Sequence, residues 1–254
     1  MTATAAEPPR LDIGRVVSGT FGVLGRNFAP FAGLALLLVS IPFAIVGGGV
    51  AGLMDNRFIL PGLGAIGLGV LAYLAAAAIL QAALIYGTVR DLNGSRADFG
   101  QCLAMGLRAC LPLILVSLLA WLGIFAGLML FVVPGVMLGM AWCVAVPAQV
   151  AERTGIVGAL GRSAELTRGN RWAIFGLTLL FLVMTWLVAL LLSPLNLVLG
   201  ALGSAGLVAA QLLVNGLSTG INTLVGATGL AVLYVELRRL KEGTEPEALA
   251  ALFD

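Results

Sequence analysis

The chain contains no histidine, one lysine and three cysteines, and only 10 % of its 254 residues carry a charge. Without histidine, a Ser-His-Asp triad, a histidine base and a His-ligated zinc are all unavailable. Cys102, Cys110 and Cys143 are odd in number and lack metal-ligand spacing, so they read as small packing residues. With Lys241 as the only lysine and a net charge of +2, there is no basic tail to hold nucleic acid. No catalytic residue, metal site or cofactor is expected, and nucleic acid is not an expected partner.

What the chain has in abundance is apolar surface. Hydrophobic residues make up 60 % of it, glycines number 34, and the mean hydropathy is +1.08. A water-soluble domain has no means of hiding that much apolar area. Charge-free stretches run for 28 residues between Arg26 and Asp55, 32 between Arg57 and Arg90, 43 between Arg108 and Glu152, and 64 between Arg171 and Glu236. Crossing the hydrocarbon takes roughly 20 apolar residues. The first two stretches are one span each, and the third holds two, with a reversal expected at Pro134 and Gly135.

Charge parity decides the fourth. Thirteen of the 14 basic residues fall in four groups, around Arg10 to Arg26, Arg90 to Arg108, Arg153 to Arg171 and Arg238 to Lys241; only Arg57 lies elsewhere. Two spans after Arg171, broken near SPLN (193–196), keep all four groups on one side, which the positive-inside rule makes cytoplasmic. The expected fold is all-α: a polytopic bundle of six transmembrane helices with both termini in the cytoplasm. Residues 1–10 read as a disordered tail, 11–243 as the membrane domain and 244–254 as a short cytoplasmic tail. The first 27 residues lack the apolar core of a signal peptide, so the first span is expected to direct insertion.

The charged loops carry amphipathic segments. On a helix through 154–168, Ile156, Val157, Leu160 and Ala164 share a face while Arg162 and Glu165 point away. Over 11–31, Ile13, Val16, Val17, Thr20 and Leu24 do the same opposite Arg15 and Arg26, and a third such helix is expected over 96–113, started by a capping box at Ser95 and Asp98. These are expected to lie in the membrane interface. Asp12-Ile13-Gly14 matches Asp98-Phe99-Gly100, and GRNFAPF (25–31) echoes GNRWAIF (169–175). A threefold repeat of surface helix plus hairpin would produce these echoes, as would any three interfacial entries into a membrane.

Some motifs dissolve on inspection. GLGAIG (62–67) fits a dinucleotide fingerprint but lies in a charge-free span, with no strand before it and no acid at the required spacing. Asn93-Gly94-Ser95 reads as a turn. Glycine pairs at GxxxG spacing, 48/52, 123/127, 135/139 and 216/220, are no more frequent than 34 glycines produce by chance. Thr244 and Glu247 have capping-box spacing, and Leu249, Leu252 and Phe253 give the tail a short amphipathic turn.

Two constellations remain as candidate sites. Gln211, Asn215, Ser218 and Asn222 recur on one helical face inside the last stretch, and serve either as interhelical hydrogen bonds or as the wall of a polar cavity. Arg162, Arg168 and Arg171 beside Trp172 are candidates to hold an anionic lipid headgroup, although positive-inside topology explains the same arginines.

DIGRVVSGTFGVLGRNF (12–28), ALGRSAELTRGNRW (159–172) and YVELRRLKEG (234–243) together resemble the bacterial membrane-domain family named after glycerophosphoryl diester phosphodiesterase, over about residues 11 to 243. In some members of that family the membrane part is fused to a catalytic barrel. Such a barrel would bring histidines and clustered acids, and neither is present here. The resemblance therefore implies a membrane domain without the hydrolase, in a bacterial inner membrane. The expected function is a non-enzymatic scaffold or accessory domain acting through membrane lipids, a protein partner or a second copy of itself. The alternative is a permease for a small or lipid-related solute, with a membrane-embedded enzyme third, since all twelve acids lie in loops or tails.

Overall fold

The computed structural model describes residues 11–54, 59–95, 98–201, 203 and 214–243. The tails 1–10 and 244–254, Asp55, Arg57, Arg96 and Gln211 lie outside the described residues. All regular structure among the described residues is helical. In chain order the helices are α1 (Ile13–Arg26), α2 (Phe28–Met54), α3 (Ile59–Leu92), α4 (Phe99–Leu130), α5 (Val132–Trp142), α6 (Ala145–Glu152), α7 (Ile156–Thr167), α8 (Arg171–Gly200) and α9 (Gly216–Glu242). Among the described residues six spans are long and apolar enough to cross a membrane: α2, α3, α4, α5 with α6, α8 and α9.

Aspartate caps set two of the helix starts. Asp12 accepts from Arg15 N at 3.3 Å, and Asp98 accepts from Gly100 N at 3.1 Å and Gln101 N at 3.2 Å. A Cβ on Gly14 or Gly100 would sit 3.2 Å from the capping carboxylate, so the shared Asp-x-Gly pattern is a cap with room for its own side chain. The start of α4 is therefore Asp98 and not a box led by Ser95. The amide of Ser95 instead closes a turn on Arg90 O at 2.9 Å. Asp98→Ala is expected to cost about 1 kcal/mol, seen as a lowered unfolding midpoint in detergent; an unchanged midpoint would mean that span packing alone holds the start of α4.

Four further expectations about the chain path are corrected. The reversal between α4 and α5 is at Phe131, whose φ of −161° and ψ of 150° are extended, and Pro134 sits inside the first turn of α5, where its missing N–H is harmless. The reversal is tight because glycines face each other: a Cβ on Gly127 would come 2.9 Å from Gly135 Cα, and one on Gly135 would come 2.7 Å from Leu128 N. SPLN does not break the fourth stretch, since α8 continues through Pro194 to Gly200. The third surface helix is not separate either: α4 carries 99–113 straight on into the span, with Pro112 in its interior.

The fourth correction concerns the face that a surface helix turns to the bundle. α1 buries Val16, Thr20 and Val23 and lies along α9, with Gly19 closing on Val232. α7 is turned from the expected face: it buries Ala159, Leu160, Ser163, Leu166 and Thr167, while Val157 is exposed. A specific need selects that face. The span made by α5 and α6 is interrupted at Cys143 and Val144, which frees backbone groups. Ser163 Oγ donates to Ala141 O at 2.8 Å and accepts from Val144 N at 3.2 Å, and Thr167 Oγ1 donates to Ala141 O at 3.3 Å. Broken helices persist at membrane depth where neighbouring Ser and Thr side chains satisfy the freed backbone.

The largest fully buried side chains, among them Phe31, Leu84, Leu113, Leu166 and Tyr234, gather toward the arginine-rich end of the bundle. Toward the other end α4 and α8 expose Trp121, Phe125, Trp186 and Leu190. The packed core and the charges thus share one end, and that end positions the site.

Candidate functional site

Glu152 is the last residue of α6, and the chain turns there through Arg153 in the left-handed region (φ 51°) and Gly155 (φ 82°). The turn folds α7 back so that Arg162 faces Glu152. Its Nε donates to the two carboxylate oxygens at 3.1 and 2.9 Å, and its Nη1 donates to Glu165 at 3.4 Å. Its Nη2 reaches Glu242 at the end of α9, and Arg238 Nε donates to the same carboxylate at 2.7 Å. The Tyr234 hydroxyl donates to Glu152 at 2.7 Å, and Arg238 Nη1 lies 4.0 Å from Glu152.

Two guanidinium groups and three carboxylates thus join α6, α7 and α9. The side chains of Glu152 and Arg238 are each 13 % exposed and that of Arg162 19 %, so solvent screens them only partly. Burial pushes the Arg162 guanidinium down, but its hydrogen bonds to Glu242 and Glu152 outweigh this and hold it above its ordinary value. Glu152 and Glu242 are both engaged by guanidinium groups, so the cluster acts as an ionic lock between helices.

Smaller links repeat the pattern. Arg26 donates to Asp91 through Nη2 at 2.5 Å and Nε at 3.1 Å, while Asn27 Nδ2 donates to the other oxygen at 2.7 Å. That hydrogen bonding to Asp91 raises the Arg26 pKa. Arg15 pairs with Glu236 at 3.7 Å, and Arg90 donates to Gln101 at 2.7 Å. These contacts bring arginines from groups far apart in sequence to one end of the bundle.

The candidate residues from the sequence divide. Arg162 is turned into the lock, its guanidinium already held by three carboxylates, and so it is not open to a headgroup. Arg168 is exposed in the turn before α8. Arg171 opens α8 with its Nε buried and without a hydrogen bond. Trp172 is 84 % exposed and makes an edge-on ring contact with Phe175, ring centres 6.2 Å apart. In the polar stripe, Asn222 Nδ2 donates to Ser218 Oγ at 3.4 Å within α9, and Asn215 lies one residue before that helix.

Sequence reasoning missed Tyr234, Arg238 and Glu242 as members of the lock. The four-residue spacing of Arg238 and Glu242 on one helix was the available signal. It missed as well a groove of about 310 Å³ between α4 and α6, lined by Arg108, Arg153 and Gln149 among others. Nothing in the linear order joins those three. Comparison with known proteins adds no assignment: no family model, no curated protein and no solved structure matches the chain.

Proposed function

We propose that this protein is a non-enzymatic scaffold or accessory domain of a bacterial inner membrane, acting through lipids or a partner protein, with its arginine-rich end in the cytoplasm. The observation that carries this reading is the ionic lock. The acids best placed for acid-base work, Glu152 and Glu242, are engaged by Arg162 and Arg238 and tie helices together. The likeness of ALGRSAELTRGNRW to the membrane-domain family fits the same reading, because Ser163, Thr167 and Arg162 within that stretch all serve the bundle's own integrity.

The test combines orientation with what stays bound. A Lys241→Cys variant should react with an impermeant maleimide in inside-out vesicles and not in right-side-out ones. Native mass spectrometry after mild extraction should find selective phospholipid or a protein at fixed stoichiometry. Solute uptake by proteoliposomes, abolished by Asn215→Leu with Asn222→Leu, would overturn the reading in favour of a permease.

A further inference from the structure

Among the arginines outside the lock, two share a groove. Arg108 on α4 and Arg153 after α6 both line the groove between those helices, and neither guanidinium has a hydrogen bond or ion pair among the described residues. Gln149 lies in the same groove. It is only 8 % exposed, and its Oε1 is buried without a donor. A buried amide oxygen without a partner is costly, and a bound ligand that offers a donor removes the cost. Met105, Leu113 and Val150 supply an apolar wall. Leu107 and Leu111 are exposed on α4 beside it, where acyl chains would lie.

We propose that this groove binds a phosphate-bearing headgroup that also carries a hydroxyl. The forks of Arg108 and Arg153 take the phosphate oxygens and Gln149 Oε1 accepts from the hydroxyl. A phosphodiester with a glycerol headgroup has this chemistry, whereas an ammonium headgroup would bring a cation up to two arginines. The inference rests on the lipid-acting reading above and moves the headgroup site from Arg162 to a different pair of helices.

The full-length protein in nanodiscs of mixed composition provides the test, with native mass spectrometry counting retained lipid. Phosphatidylglycerol should be retained over phosphatidylcholine of the same chains by roughly tenfold. It should also exceed phosphatidylmethanol, which has the same charge and no hydroxyl. Arg108→Gln with Arg153→Gly should remove both preferences. Glycine suits the left-handed φ of residue 153, so this variant should fold at least as well as the parent. Gln149→Leu should erase only the preference over phosphatidylmethanol.

Equal retention by the parent and the arginine variant would overturn the groove while leaving a lipid-acting domain intact. Absence of any preference in the parent would overturn it too, and solute uptake in the preceding experiment is what separates that result from failure of the broader reading. Glycerol 3-phosphate binding in phospholipid-free micelles, lost in the arginine variant, would support the site with a soluble phosphate as its source.

Discussion

Arg162→Leu is expected to lower the stability of the bundle by about 3 kcal/mol, the lower end of what removal of one partner from a buried ion pair costs. The effect is large because one side chain serves three carboxylates, from α6, α7 and α9. Its loss leaves Glu242 with Arg238, and Glu152 with the Tyr234 hydroxyl and a distant Arg238. The figure sits at the lower end because a fifth of the Arg162 side chain reaches solvent and Arg238 remains. Arg162→Lys should recover only part of the loss, since a point charge on a flexible stem cannot contact three acids as a planar fork does. Unfolding in detergent, followed by tryptophan fluorescence, measures this. A loss below about 1 kcal/mol would reduce the lock to an ordinary surface pair.

The second large effect is expected at the interrupted span. Ser163→Ala combined with Thr167→Val removes both side-chain donors to Ala141 O and the acceptor for Val144 N, at sites that are fully buried. Each unsatisfied buried backbone group costs about 1–3 kcal/mol, so the pair should cost about 3 kcal/mol together, with less than full additivity because the two share one carbonyl. Thr167→Val preserves shape, which confines the change to the hydroxyl. Hydrogen exchange at the Val144 amide should quicken in step with the stability loss. If the double variant is as stable as its parent and that amide is still protected, the break does not depend on α7.

These two expectations mark where the sequence was legible. Ser163 and Thr167 are separated by four residues, a spacing visible on any helical wheel, yet hydrophobicity alone favoured the face carrying Ile156 and Val157. The winning face was chosen by a hydrogen-bonding need in a different helix, and no property of residues 154–168 announces an interruption at 143–144. The same holds for SPLN. Serine, proline and asparagine read as a break in water, but α8 absorbs them, with the Ser193 hydroxyl donating to Leu190 O at 2.8 Å. The repeated Asp-x-Gly was visible in the sequence as an echo between segments, and the structure shows that each copy is an aspartate cap acting over three residues.

What the sequence determined by itself is the class of the fold and the distribution of charge: all-helical, six helices long and apolar enough to cross a membrane, with the basic groups set between them so that one end of the bundle receives them. Those features follow from the transfer of each residue between water and hydrocarbon, a property that does not depend on its neighbours. Tertiary structure alone decided which arginine is bound and which is open. Arg162 meets a glutamate 80 positions away, and Arg108 comes to line one groove with Gln149 and Arg153. Pairing energies fall off over a few ångströms, and positions that far apart come within that range only once the helices have packed.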